Sequence, residues 1–384
     1  MRIGIDARAL SWAGLGRYSH NLLNSMSSLN NIHDFVVFGS KKFASEIIDL
    51  PKVKFVPVDD SYYSLKEQTL FLRSLLREKM DLMHFLHFNA PVFYRRPFVV
   101  TIHDLTRFFF PAQKNTSHFH QWAYEEVFRS AVIHSQGIIS VSECTKSDLI
   151  RYFPQVNDRV DVIYEGVNTN IFNPRRGENE EDDLKGLGID SSYLLFVGVW
   201  MNHKNIFRLL EAFKEVVENG YQGKLVITGK GRVHDINVSQ IISKLDLNSR
   251  VILPGNVSDS LLAVLYRNAD IFVFPSLYEG FGLPPLEAMA CGTPVVASGV
   301  SSIPEILGDA AEYFDPLNSN DISNAIIKVI NSRIIRSKLV ASGTGQINSF
   351  QWEKTAKETL AFYDKVQQKL QNKTEIAISA QTAR

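Results

Sequence analysis

Two glutamates, Glu279 and Glu287, have seven residues between them in Ser276-Leu-Tyr-Glu-Gly-Phe-Gly-Leu-Pro-Pro-Leu-Glu-Ala-Met-Ala-Cys-Gly-Thr-Pro-Val-Val-Ala-Ser298. Gly280 and Gly282 fill the gap, and each lets the backbone approach a ligand without a Cβ in the way. Pro284 and Pro285 suit the first turn of a helix, where a missing N–H costs nothing. That helix is expected to carry Glu287 in its first turn and to stop at Gly292. Free N–H groups at a helix start attract an anion, and the two carboxylates can accept hydrogen bonds from hydroxyls. The segment therefore suits a negatively charged, hydroxyl-rich ligand, a description that a nucleotide-sugar meets. The bland alternative is that Glu287 only offsets the helix dipole.

A parallel sheet has to present this turn. Residues 271–274, Ile-Phe-Val-Phe, form a short apolar run ended by Pro275, and read as a buried strand. Similar runs recur at 3–5, 35–38, 53–56, 82–84, 98–102, 137–141 and 160–163, and again at 193–197, 224–228, 251–253 and 295–297. Helical stretches lie between them. The best marked is 205–219, with Ile206, Leu209, Leu210, Phe213, Val216 and Val217 on one face and Gly220 after it. Alternation of strand and helix predicts α/β domains with helix-covered parallel sheets. Residues 168–188 are polar and acidic without apolar periodicity, and read as an exposed linker. The expected organisation is two Rossmann-like domains, 1–168 and 169–351. A helix at about 352–371 packs back on the first, and 372–384 form a flexible tail. Ligands of such sheets bind at the carboxyl ends of the strands, so the expected site is a cleft between the domains.

The 384 residues carry 41 basic and 41 acidic side chains, a net charge of zero that argues against a nucleic-acid protein. Cys144 and Cys291 are the only cysteines, and are expected as buried free thiols in a reducing compartment. Residues 2–5 already read as strand, so no signal peptide is expected. No run of about 18 apolar residues is present. A cytoplasmic location follows as an expectation, with room for peripheral membrane contact.

Taken in order, these segments resemble the family 4 retaining glycosyltransferases of GT-B fold, over nearly the whole chain. Ile5-Asp-Ala-Arg8 with Gly14-Leu-Gly-Arg-Tyr18 is similar to the start of that family's bacterial polysaccharide mannosyltransferases. Thr101-Ile-His-Asp-Leu105, the stretch from Val141 to Leu149 and Val162-Ile-Tyr-Glu-Gly-Val167 resemble its middle blocks. Val197-Gly-Val-Trp-Met-Asn-His-Lys-Asn205 resembles its donor-phosphate block, and the glutamate pair its Glu-x7-Glu signature.

The resemblance implies roles. Lys204 would neutralise the donor diphosphate, Glu287 would bind the ribose hydroxyls, and Glu279 would lie near the donor sugar. Gly280, Phe281, Gly282 and Leu283 would offer backbone N–H groups. Gly14 and Gly16, in an N-terminal loop, would lie against the diphosphate, with Arg17 adding charge or serving structure. His103 and Asp104 would face the cleft, the histidine touching the donor sugar. His203 stands where the family often has arginine, which weakens the positive charge there or makes it pH-dependent. Arg232, in the loop that begins at Gly229, is the alternative source of charge.

A diphosphate leaving group can be stabilised by Lys204 and helix N-termini without a metal, so no cofactor is expected. Asp59-Asp60 and Asp182-Asp183 are not read as metal sites. The implied reaction is hexosyl transfer, from GDP-mannose or from a UDP- or dTDP-sugar, to a lipid-linked or oligosaccharide acceptor. Front-side attack is favoured by family analogy. A nucleotide-sugar epimerase and a non-catalytic subunit are the competing classes. Acceptor contacts are expected on the first domain, at 62–68, 93–96 and 107–111, where aromatics and basic residues mix.

Overall fold

The computed structural model describes residues 1–29, 32–48, 51–58, 62, 64–110, 118–229 and 237–382. The chain forms two compact units. The first comprises Met1–Arg107, Pro111–Gly166 and Trp352–Arg384, the second Phe108–Phe110 and Val167–Gln351.

In the first unit, seven apolar segments become β1 (Arg2–Asp6), β2 (Asp34–Gly39), β3 (Val53–Pro57), β4 (Leu82–Phe85), β5 (Phe98–Ile102), β6 (Gly137–Ser140) and β7 (Val160–Val162). They pair in parallel in the order β3-β2-β1-β4-β5-β6-β7. Every residue of β4, β5 and β6 is buried, as a sheet covered on both faces requires. The order reverses between β1 and β4, so their carboxyl ends frame a crevice of the kind that binds ligands.

The C-terminal helix Trp352–Thr382 belongs to this unit. Trp352, Ala356, Phe362, Tyr363 and Val366 share a core with Ile3, Ile5, Tyr18 and Leu22. Its approach to β6 is close enough that a Cβ on Gly137 would stand 2.6 Å from the Phe362 ring. The helix continues through Thr382, so that most of the stretch expected as a tail is helical.

The second unit contains β8 (Tyr193–Val197), β9 (Lys224–Thr228), β10 (Val251–Gly255), β11 (Ile271–Phe274), β12 (Val295–Ser298) and β13 (Ala311–Phe314). Their parallel order is β10-β9-β8-β11-β12-β13, with the reversal between β8 and β11. The helix Ile206–Glu218 buries Ile206, Leu209, Leu210, Phe213 and Val216 in this unit's core.

Two expectations change here. Strand β13 was not among the apolar runs, because Glu312 and Tyr313 interrupt it. The polar stretch 168–188 is not simply an exposed linker, since it forms the helix Glu180–Gly186. Glu180 is buried, and it accepts from Arg267 Nε at 2.7 Å and from Asn268 at 2.8 Å. Burial works against that carboxylate's charge, but the bonds from the Gly177 amide, Arg267 and Asn268 outweigh it and hold the carboxyl below its usual range. Asp182 and Asp183 are exposed on the same helix, and Asp59-Asp60 lie outside the described residues. Neither cysteine is in a disulfide; Cys291 is buried and Cys144 only half-buried.

Candidate functional site

In the second unit the site forms at the carboxyl ends of β8 and β11, the strands that flank the reversal. After β8 the chain makes a short 3-10 turn, Asn202–Lys204, and Asn205 then caps the helix Ile206–Glu218 in the left-handed region at φ 59°. Asparagine tolerates that conformation better than most residues. Its side-chain amide donates to the carbonyls of Pro275 at 3.1 Å and Pro316 at 2.7 Å, which ties the turn to the loop after β11. The Leu277 amide donates to the His203 carbonyl at 2.7 Å across the same seam.

Lys204 Nζ then meets Glu279 Oε1 at 2.6 Å. The two side chains are 17% and 12% exposed, so the pair is partly desolvated yet open to a ligand. The Glu279–Phe281 turn is held from behind. Ser301 and Ser302 hydroxyls donate to the Glu279 carbonyl at 2.7 and 3.0 Å, and Ser302 also reaches the Phe281 carbonyl at 3.1 Å.

Gly282 is the N-cap of the helix Leu283–Ala290, with φ 110°, a conformation that only glycine adopts readily. Pro284 and Pro285 carry no N–H and so add no donor at this helix start. Glu287 falls in the helix's second turn rather than its first, which corrects the expected placement and removes the simple dipole explanation. It is 3% exposed, and its Oε2 accepts from Tyr266 OH at 3.1 Å.

Gly229 has φ 112°, and a Cβ there would stand 2.0 Å from the Gly198 carbonyl oxygen. Its glycine is therefore explained by backbone packing alone. His203 is buried. Arg232 lies outside the described residues.

In the first unit, Gly14 and Gly16 lie within the first turn of the helix Ala13–Ser28, not in a loop as expected. A Cβ on Gly16 would sit 2.3 Å from the Leu10 carbonyl oxygen, whereas one on Gly14 would meet nothing within 4 Å. Packing thus accounts for Gly16 and leaves Gly14 without a structural reason. Arg17 is half-buried in the same helix. Asp104 accepts from the Thr106 amide at 2.8 Å, at the start of the short helix Thr106–Phe109. His103, just past β5, has both ring nitrogens engaged: Nδ1 lies 3.0 Å from Glu165 Oε1 and Nε2 lies 2.9 Å from the Leu86 carbonyl.

The expected acceptor surfaces divide. Glu67 is buried and binds Arg8 Nη2 at 2.8 Å, and Tyr94 is 1% exposed, so neither belongs to a surface. Phe93 is 68% exposed. Phe108–Phe110 group with the second unit, not the first. There Phe109 lies 4.8 Å from the Tyr278 ring and Phe110 6.0 Å from His203; Pro111 lies outside the described residues.

Comparison with known proteins gives this geometry a family. Residues 179–346 match the model for glycosyl transferases group 1, and residues 12–171 match the model for glycosyltransferase family 4. Across 373 residues the chain is 30% identical to O-antigen chain mannosyltransferase B of Escherichia coli, covering 91% of this chain and 95% of that one. The chain belongs to the family 4 glycosyltransferases. This glycosyltransferase is also 25% identical over 338 residues to O-antigen chain mannosyltransferase RfbU of Salmonella typhimurium, covering 85% and 90% of the two chains. Its fold matches that of a sucrose-phosphate synthase from Thermosynechococcus elongatus with a TM-score of 0.78, at 20% identity and over 95% and 99% of the two chains. Two Rossmann-like parallel-sheet units in one chain are the GT-B architecture.

The residues that sequence reasoning missed in this glycosyltransferase are the supporting ones. Ser301 and Ser302 hold the Glu279 turn, Tyr266 binds Glu287, and Asn205 joins the lysine turn to the glutamate loop. Each acts across 21 to 111 residues of sequence, so no local spacing announces them. Glu165 lay inside a quoted block, but its contact with His103 spans 62 residues.

Proposed function

We infer that this hexosyltransferase moves mannose from GDP-mannose, with retention, onto a lipid-linked or oligosaccharide acceptor of a cell-surface polysaccharide such as O-antigen, lipopolysaccharide or capsule. The observation that carries the reading is the Lys204–Glu279 pair at the β8/β11 reversal, in a chain whose relatives are O-antigen mannosyltransferases.

Lys204 is proposed to meet the diphosphate, where a fixed cation and the N-terminus of the helix Ile206–Glu218 would stabilise charge building on the leaving β-phosphate. Glu279, released from Lys204 as phosphate oxygens take its place, would accept from a sugar hydroxyl. The N–H groups of Gly280, Phe281, Gly282 and Leu283 would serve sugar and phosphates, and Glu287 the ribose. In the first unit, Gly14, Gly16, Arg17, His103 and Asp104 are proposed as donor contacts, of which Gly14 has the best support, because nothing else explains it. His203 and Gly229 keep that proposed role with weaker support, since each has a structural explanation. No metal is assigned a step. Front-side attack, with the leaving phosphate taking the acceptor's proton, remains the proposed route.

A location on the cytoplasmic face of a membrane is part of the proposal. Among the described residues no helix is long and apolar enough to cross a bilayer. Between residues 65 and 77 the exposed side chains are Leu65, Lys66, Thr69, Leu70, Arg73, Leu76 and Arg77, with no acid among them. Gln68 accepts from the Val92 amide at 2.8 Å, which brings exposed Phe93 and Arg95 beside that stretch. Basic and apolar groups together suit an anionic lipid surface.

The test is a thermal-shift panel of GDP-mannose, UDP-glucose and dTDP-sugars on the purified chain. A bound donor stabilises the folded chain by mass action, by roughly 2.7 kcal/mol at a hundred times Kd, and so raises the melting temperature. GDP-mannose is expected to give the largest shift, and a larger shift from a UDP- or dTDP-sugar would replace the mannose assignment.

A further inference from the structure

We propose that Glu165 is a positioning residue of the transfer reaction, acting through His103; the inference rests on the proposed place of His103 beside the donor sugar. Glu165 follows β7 and is 5% exposed. A carboxylate so buried is costly unless it is paired and hydrogen-bonded, and its partner is His103 Nδ1 at 3.0 Å. On the other side of the ring, Nε2 lies 2.9 Å from the Leu86 carbonyl. With Glu165 ionised, the carbonyl and the carboxylate are both acceptors, and each ring nitrogen is placed to donate to one of them.

The ring is fixed from other directions as well. Tyr18 meets it edge to face at 4.6 Å, and Trp352 of the C-terminal helix meets Tyr18 at 5.8 Å. Thr355 of the same helix donates to the carbonyl of Tyr164, the residue before Glu165, at 2.8 Å. The C-terminal helix therefore braces both the ring and the loop that carries its carboxylate. The other groups near the ring have assigned places: Tyr18 OH lies 3.2 Å from Thr101 Oγ1, and His84 is bonded to Thr101 and Tyr363.

With both nitrogens held by internal acceptors, His103 is not arranged to shuttle a proton. Its part is to present a ring of fixed orientation, and Glu165 holds that orientation. The function of Glu165 is thus separable from donor affinity.

The experiment compares wild type, Glu165→Ala, Glu165→Gln, His103→Ala and the double variant Glu165→Ala/His103→Ala. GDP release from GDP-mannose is followed with methyl α-mannopyranoside as the probe acceptor, and nitrogen-15 NMR reads the ring of His103. Glu165→Ala is expected to lower kcat at least tenfold with donor KM within about twofold, and to convert the ring from two N–H groups to one. Glu165→Gln, which keeps an acceptor oxygen, is expected to recover part of kcat. The double variant should be no worse than His103→Ala, because the two residues act as one unit.

Wild-type kcat and an unchanged ring spectrum in Glu165→Ala would overturn the proposal, as would additive losses in the double variant. If Glu165→Ala does not fold, Glu165→Gln carries the test through its ring spectrum, where loss of one N–H supports the proposal and an unchanged pair overturns it. A wild-type enzyme that turns over only other nucleotide-sugars would correct the donor assignment, and the same comparison would then be read with that donor.

Discussion

At the scale of single residues, the Lys204–Glu279 contact at 2.6 Å means that the cation expected to meet the diphosphate already has an anionic partner. Donor binding must exchange one anion for another, so the pair works against nucleotide affinity while it keeps both side chains oriented. Glu279→Gln separates these effects. Removing the competing carboxylate is worth about 1 kcal/mol for a partly exposed pair, so GDP alone should bind roughly fivefold more tightly. Hexose transfer should fall by a hundredfold or more, because the sugar hydroxyl exchanges a charged acceptor for a neutral amide oxygen. Calorimetry with GDP and an assay of GDP release check the two halves, and weaker GDP binding together with intact transfer would contradict the exchange. Both residues were legible as candidates from their motifs, but their contact was not, because 75 residues separate them and nothing in either motif specifies the other's position. Glu287 was legible as a candidate and misplaced by a residue or two, falling just past the first turn, since the helix begins at Leu283 and proline pairs blur where a helix starts.

Among the elements, the start of the helix Ala13–Ser28 offers the cleanest test. Gly14 is exposed, with open space where a Cβ would go, and glycine costs a helix up to about 1 kcal/mol relative to alanine. Gly14→Ala should therefore raise the melting temperature by roughly 2 °C and still slow transfer at least tenfold, if the donor approaches this backbone. A stabilised variant with unchanged kinetics would remove Gly14 from the site. Strands with unbroken apolar runs, such as Ile271–Phe274, were plain in the sequence because both sheet faces are buried. Strand β13 escaped because Glu312 and Tyr313 break its short run. The helix Glu180–Gly186 escaped because four consecutive acids look solvated, and only the distant Arg267 and Asn268 explain why the first of them is buried.

For the molecule as a whole, the C-terminal helix is what joins the last residues to the first unit, and it does so through a buried polar chain. His84 Nδ1 lies 2.6 Å from Tyr363 OH, and Nε2 lies 2.8 Å from Thr101 Oγ1. Burial, with His103 nearby, lowers His84 from the ordinary 6.5 to about 3, and His87 is lowered as well. The sign follows: the unfolded chain takes up a proton below 6.5 that the folded chain refuses until about 3. This contribution to stability is complete above pH 6.5 and is lost progressively as pH falls toward 3, at about 1.4 kcal/mol per pH unit. Urea denaturation at pH 7 and pH 5 should show wild type losing roughly 2 kcal/mol more than His84→Gln over that span, and equal losses would contradict it. Both Rossmann-like units could be expected from strand spacing and motif order, whereas this polar chain joins residues 279 apart and could not. The central claim is that a nucleotide-sugar binds through Lys204, and thermal shift with GDP-mannose on wild type and Lys204→Ala tests it most directly. The account predicts a clear rise in melting temperature for wild type that is largely lost in Lys204→Ala; an equal rise in both proteins, or none for any nucleotide-sugar in wild type, would contradict it.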